Sequence, residues 1–336
     1  MQQDEIIIRK GIVHIMDGTL GYPVYSEEEL ELSPDINDFF RNHIYRLLSG
    51  DDLKKCVFSE EESEVYELVK QFDEADLVEQ SKKIAAILYQ IMNANVAIPS
   101  GDLAVITFQC QAKQYLALLK MNYKESYVHM TQNQDAKNVN QIICYQSTLP
   151  AGGTKLSEAV FINLEDYSVQ IVEKKYEVNG SKVNYLSELF LKCHASMSSK
   201  SKLSIVTKAV EQVNKKHYAE EPLKQMEAKR IMKKEIETNG VLDVEKISEE
   251  IYGNAPEIKE EFDAKMEKYH MEKAQVTPKS EKTTKKFEKQ YLKTDTGIEI
   301  NIPMEQYQDA DQVEFITNVD GTISVLIKNI NKISTR

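Results

Sequence analysis

Between Lys279 and Lys293 the chain sets six lysines, Lys279, Lys282, Lys285, Lys286, Lys289 and Lys293, against two carboxylates, Glu281 and Glu288, with Phe287 and Tyr291 interleaved. Ammonium groups neutralise phosphates and rings pack against sugars or bases, so this pattern is the chemistry of a nucleic-acid surface. Strand alternation puts Phe287, Lys289, Tyr291 and Lys293 on one side. The same residues also describe an edge strand kept from aggregating by its lysines. A second basic zone precedes them: Lys200, Lys202, Lys208, Lys215, Lys216, Lys229, Arg230, Lys233 and Lys234 fall on segments of helical pattern. There a solvated helix face is the plainer reading. The site read from charge is Lys200, Lys202, Lys229, Arg230, Lys233, Lys234, Lys282, Lys285, Lys286, Phe287, Lys289, Tyr291 and Lys293, a single patch if the tail folds back onto the helices.

Other motifs assemble no active site. Gly152-Gly153-Thr154-Lys155 ends like a phosphate loop, but the first glycine of the motif is missing and the lysine follows the threonine. Ser199 and Lys202 share the SxxK spacing that sets a lysine one helical turn from a nucleophilic serine, yet the accompanying SDN and KTG elements are absent. His14 and Asp17 are close in sequence, and a histidine on an alternating strand reads first as a satisfied, partly buried imidazole. The other histidines, His43, His129, His194, His217 and His270, stand in no metal-binding or nucleophile motif. Cys56, Cys110, Cys144 and Cys193 have no CxxC spacing and read as reduced core thiols. No catalytic residue, metal ligand or cofactor is therefore expected.

The net charge of −12 runs against binding a polyanion, and its distribution decides how far. The first hundred residues hold nine basic residues against twenty acidic ones, whereas residues 201–293 hold twenty against eighteen. Nucleic-acid contact is thus expected in the later half. The acidic residues of the first hundred fall mainly on helix starts and exposed sides, where they favour the helix dipole and solubility. No apolar run approaches the about 18 residues of a spanning helix, so no membrane partner is expected. Asp4 and Glu5 precede Ile6-Ile7-Ile8, the reverse of a secretory signal, so secretion is not expected.

The elements that must position these residues give an α+β chain: a mixed helix and antiparallel-sheet N-terminal domain over 1–197, a helical segment over 198–272, a linker over 273–284 and a small antiparallel β domain over 285–336. Ile6 to Met16 alternates as a strand with Ile12, His14 and Met16 on one face. Ser33 caps a helix that Pro34 opens, and Ser59 with Glu62 reads as the capping box of the next. Leu103 to Cys110 and Tyr115 to Met121 read as a hairpin, with further strands over 141–146, 159–164 and 169–175. Residues 184–193 form a short buried helix. Asn239-Gly240 and Gly253-Asn254 separate the later helices. Two of these helices outline a helix-turn-helix, but Glu257, Glu260, Glu261, Asp263 and Glu267 make its second helix a poor groove reader. Asp295-Thr296-Gly297 and Asp320-Gly321 then turn strands of a small terminal sheet.

Ile12-Val13-His14-Ile15-Met16, Tyr115 to Lys120, Leu149-Pro150 before Leu156-Ser157-Glu158-Ala159, Glu173 to Glu177, Asn184 to Ser187 and Gly297 to Pro303 occur in an order that resembles the bacterial 37 kDa nucleoid-associated protein family, the NdpA or YejK-like proteins, over essentially the full length. The resemblance implies a cytoplasmic, nucleoid-localised, non-enzymatic protein that associates with DNA and contacts DNA-maintenance enzymes such as type II topoisomerases. It implies no catalytic residues. Two readings follow: double-stranded DNA bound with little sequence preference through the lysines of 200–293, or an adaptor whose acidic helices of 26–80 dock on a basic protein. A homodimer through the edges of the terminal strands is expected on general grounds.

Overall fold

The computed structural model of the protein describes residues 2–134, 137–219, 221–307, 309 and 311–333. The chain divides into two compact units, Met1–Ser198 and Ser199–Arg336, each with its own core. In unit 1, β1 (Ile6–Met16) leads to α1 (Pro34–Leu48), β2 (Lys54–Phe58), α2 (Glu64–Lys70) and α3 (Leu77–Ala94). Two hairpins follow, β3 (Gly101–Cys110) with β4 (Lys113–Asn122), and β5 (Lys124–Gln134) with β6 (Lys137–Thr148). Then come β7 (Ala159–Asn163), β8 (Val169–Val172), the short hairpin of β9 (Tyr176–Val178) and β10 (Ser181–Val183), and β11 (Cys193–Ala195). Seven strands form one antiparallel sheet in the order β1-β3-β4-β7-β8-β2-β11.

The sheet is covered on both faces. Leu103, Val105, Leu116 and Leu118 pack with Leu77, Ile84 and Leu88 of α3, while Ala104, Ile106, Ala117 and Leu119 pack with Phe40, Ile44 and Leu47 of α1. That two-sided burial is why β3 and β4 read as near-continuous apolar runs. In β1 the register shifts between Ile8 and Lys10, so Ile6 and Ile8 face α1 whereas Ile12 and Met16 face α3. The β3–β4 turn holds Gln111 at φ 50° and Ala112 at φ 63°, left-handed conformations without a glycine. By contrast, among the described residues β5 pairs only with β6, and most of this hairpin is exposed, including Tyr127, Ile142 and Tyr145.

Local signals acted largely as physics dictates. Ser33 Oγ accepts the Ile36 N–H and Pro34 opens α1. The expected Ser59/Glu62 box does not form: the Ser59 carbonyl instead accepts the Glu62 and Ser63 N–H groups in a turn, and Ser63 Oγ caps α2 through the Tyr66 N–H at 3.1 Å. The short helical turn Leu186–Phe190 buries Leu186 and Phe190 beside Tyr185. Cys56, Cys110 and Cys193 are buried, but Cys144 is exposed because β6 lies outside the main sheet. All four thiols are free.

In unit 2, α4 (Ser199–His217), α5 (Pro222–Asn239), β12 (Leu242–Asp243), α6 (Val244–Tyr252) and α7 (Pro256–Glu267) come first. They precede β13 (Gln275–Val276), α8 (Glu281–Thr284), β14 (Lys289–Lys293), β15 (Glu299–Pro303), α9 (Met304–Tyr307), β16 (Val313–Thr317) and β17 (Ile323–Ile327). Gly240, at φ +68°, ends α5 in the left-handed conformation that favours glycine, and the Asp243 carboxylate accepts the Lys246 N–H to open α6. Leu203, Val206, Met232, Ile247, Tyr252, Phe262 and Met266 gather the helices around one core. Within 273–284, the stretch read as a connector, Gln275–Val276 pairs with Leu242–Asp243 and Glu281–Thr284 is a helical turn capped by Ser280. The four terminal strands form two separate hairpins, β14–β15 and β16–β17, instead of one sheet, because a helical turn that buries Met304 separates them. Among the described residues no helix is long and apolar enough to cross a membrane.

Candidate nucleic-acid interface

Helix α4 supplies the base of the site. Its apolar line, Leu203, Val206, Val210 and Val213, is buried, and the neighbouring positions carry Lys200, Lys208 and Lys215 at intervals of about two turns, hence along one side. From α5, Lys229 and Met232 face the same space; from the tail come Lys286, Phe287, Gln290 and Tyr291. These residues enclose a groove of about 750 Å³ within unit 2, with five lysines, Lys200, Lys208, Lys215, Lys229 and Lys286, against one carboxylate, Glu211. Leu203, Met232 and Phe287, all buried, form its apolar floor.

Two interactions hold the tail there. Phe287, 3% exposed, is part of the helical core, and Lys229 Nζ donates to the Lys289 carbonyl at 2.8 Å. Burial lowers the Lys229 pKa, with Glu211 pulling it back up. Among the described residues, Lys208, Lys215 and Lys286 have no carboxylate at ion-pair distance, so their charge is available to a ligand. Tyr291, 68% exposed, stands at the rim. The Gln290 side-chain oxygen is buried without a hydrogen-bond donor among the described residues.

The structure sorts the charge-based set. Lys200, Lys229, Lys286, Phe287 and Tyr291 meet at the groove; Lys202, Arg230, Lys233, Lys234, Lys282, Lys285, Lys289 and Lys293 do not line it. Arg230 pairs with Glu227, Lys233 is buried with Nζ 3.4 Å from Glu237, Lys285 lies 3.7 Å from Glu281, and Lys293 lies 3.0 Å from Glu299. Phe287 does not share a strand face with Lys289, Tyr291 and Lys293: residues 285–287 form a 3-10 turn continuing α8, so period-two alternation begins only at Lys289. Lys208 and Lys215, noted in the helical zone but outside the narrower set, belong to the groove together with Gln290. Their signal was the helical spacing from Lys200.

Elsewhere, several polar and charged side chains are already partnered within the fold. His14 is buried, its Nδ1 accepting the Ser26 N–H and its Nε2 2.9 Å from Ser81 Oγ, and burial lowers its pKa to about 4. Lys120, 1% exposed, donates to the Pro99 carbonyl at 2.7 Å and to Asn122, which also bonds the buried Glu158. Lys155 pairs with Asp52 at 2.7 Å, which removes its ammonium from phosphate-loop chemistry. In α7, hydrogen bonds from His217 and Lys216 hold the Glu261 carboxyl at about 2. Among the described residues no three His, Cys, Asp or Glu side chains are grouped to hold a metal.

No curated relative matches the sequence. A family model described as NA37, nucleoid-associated protein YejK, matches residues 12–333, a span that includes the sheet of unit 1 from Ile12 onward and both sides of the groove; the chain belongs to that nucleoid-associated family.

Proposed function

We propose that the protein is a non-enzymatic DNA-binding component of the nucleoid that holds double-stranded DNA by its phosphate backbone, with little sequence preference, through the basic surface of unit 2. One observation carries this reading. Two lysine zones far apart in sequence, on α4–α5 and on the tail, converge on one groove, and three of the lysines there have no carboxylate partner among the described residues. The net charge of −12 does not oppose it, because the first hundred residues carry twenty of the fifty-four acidic residues and only nine of the forty-two basic ones. A titration of nuclease-treated protein against a random-sequence duplex at several salt concentrations tests it. Binding should fall steeply with salt, and replacing Lys208, Lys215 and Lys286 by alanine should flatten the log–log slope by about 3, one unit for each phosphate that is no longer neutralised. Unchanged affinity and slope in the triple variant would refute the assignment.

The exposed carboxylates of unit 1 favour a second reading. Glu27, Glu28, Glu31, Glu60, Glu61 and Glu62 are all exposed, and such a surface suits a basic protein partner, a DNA-maintenance enzyme of the type II topoisomerase kind among them. Under that reading the purified protein ignores naked DNA at low salt yet retains such an enzyme in a pull-down that charge reversal of these glutamates abolishes.

A further inference from the structure

Strands β5 and β6 stand apart from the seven-stranded sheet, and among the described residues each pairs only with the other. A two-stranded ribbon alone in water is marginal at best; it gains stability from a third strand or from an apolar face packed on something else. This ribbon offers apolar side chains on both faces. The register puts Tyr127 and Ile142 on one face and Val128, Met130, Val139 and Tyr145 on the other, and every one of the six is at least 36% exposed. Its strands also lack the devices that keep an edge from pairing. From Ser126 to Gln134 and from Asn138 to Thr148 there is no lysine, arginine, aspartate, glutamate or proline, and the register shifts only at the start of β5, between Lys124 and Ser126.

The absence of charge narrows the partner. The chain as a whole is 29% charged, yet a phosphate or carboxylate buried against this ribbon would find no counter-charge. The surface that fits is uncharged, apolar and as long as the strands, and the ribbon itself has all three properties. Size agrees with this. A stable interface takes about 20–30 residues a side, and strands of eleven and twelve residues supply that number. The terminal hairpin β16–β17, where the sequence places edge pairing, falls short. Its strands have five residues each, and an ion pair of 2.6 Å between Glu314 and Lys328 puts charge on it.

We infer that the β5–β6 hairpin is a dimerisation arm, which packs against the same hairpin of a second copy of this chain about a two-fold axis and buries Tyr127, Ile142 and Tyr145. The same patch then meets itself, as two-fold symmetry requires. The inference is independent of the nucleic-acid reading, because the hairpin belongs to unit 1 and the basic groove to unit 2.

The test is sedimentation equilibrium of the whole, nuclease-treated chain over a wide range of concentrations. Wild-type protein should sediment at twice the mass of one chain at micromolar concentration and dissociate on dilution. The Tyr127→Thr/Ile142→Thr/Tyr145→Thr variant should raise the dissociation constant about a hundredfold. Threonine keeps the strand propensity while removing apolar bulk, and the unfolding midpoint of unit 1 at monomeric dilution checks the fold. Ile142→Thr alone, at a residue 79% exposed, leaves the fold intact and should raise the constant about tenfold, which decides the matter if the triple variant unfolds. An Ile323→Thr/Leu326→Thr variant in the terminal hairpin should leave the constant unchanged. Wild-type protein that stays monomeric at every concentration overturns the inference, and so does a dimer that the hairpin variants leave intact. Dissociation by the terminal variant alone also overturns it and moves the interface to β16–β17.

Discussion

In unit 1 the ammonium of Lys120 is shut inside the protein, held by the Pro99 carbonyl and Asn122 beside Glu158; in unit 2 the ammoniums of Lys208, Lys215 and Lys286 line an open groove with no carboxylate at ion-pair distance among the described residues. The residue type is the same and the use is opposite. Burial lowers the Lys120 pKa to about 8, with Glu158 and Asp102 opposing the shift, so this lysine serves the fold and has nothing to offer a ligand. A net charge of −12 says little about function for this reason. What matters is which charges the fold has already partnered.

Deleting the buried lysine should have the largest effect. Lys120→Ala removes a cation whose charge interacts with Glu158, leaves the Pro99 carbonyl and the Asn122 side-chain oxygen without this donor, and opens a cavity under β4. Together these should cost about 3–5 kcal/mol. Denaturant unfolding followed by hydrogen exchange in β3 and β4 reads that loss, and DNA affinity below the transition should not change. A small loss would mean that Lys120 is as dispensable as a surface lysine, and the contrast between the units would collapse.

Next in size is the pH response of unit 1. His14 keeps a folded pKa of about 4 against an ordinary value of 6.5, so between those values the unfolded chain takes up a proton that the native one refuses. Stability should therefore fall as pH drops through this window, by about 3 kcal/mol in total at about 1.4 kcal/mol per unit. His14→Gln should flatten that slope while leaving the share of His43, whose burial lowers its pKa in the same direction. Lys120 acts at the other end: the unfolded chain still holds a proton above about pH 8 that the native one releases, so stability should rise from there towards the ordinary lysine value of 10.5. Stability of unit 1 that is flat from pH 6.5 to 4 would contradict the sealed environment of His14.

These sealed groups explain what the sequence made legible. Strand alternation placed His14 with Ile12 and Met16, and all three are buried. The cap Ser33, the αL turn at Gly240 and the helices of 199–267 followed from local chemistry, which depends on neighbours a few residues away. The β2 strand, Lys54–Phe58, and β5, Lys124–Gln134, carried too few apolar residues to stand out, and their pairing is set by distant partners. The Gln111–Ala112 turn lacks the glycine or asparagine that marks such turns. The groove was half legible. Its lysines and Tyr291 came from composition, but their meeting depends on Phe287 entering the helical core, and a residue read as part of a strand gave no sign of that.

The smallest expected effect is the sharpest check on the comparison. If the groove lysines are kept for a ligand, the fold should hardly notice their loss. Lys208 and Lys215 are exposed and make no ion pair among the described residues, so removing their side chains breaks no partner's bond and opens no cavity. The Lys208→Ala/Lys215→Ala double variant should therefore keep the stability of unit 2 within about 0.5 kcal/mol of wild type, by denaturant unfolding and hydrogen exchange in α4. A loss beyond about 1 kcal/mol would make these lysines structural like Lys120, and a fall in DNA affinity in the same variant could then no longer be credited to phosphates left without a counter-charge. Unchanged stability beside a flattened salt slope would separate the two uses of lysine within one chain.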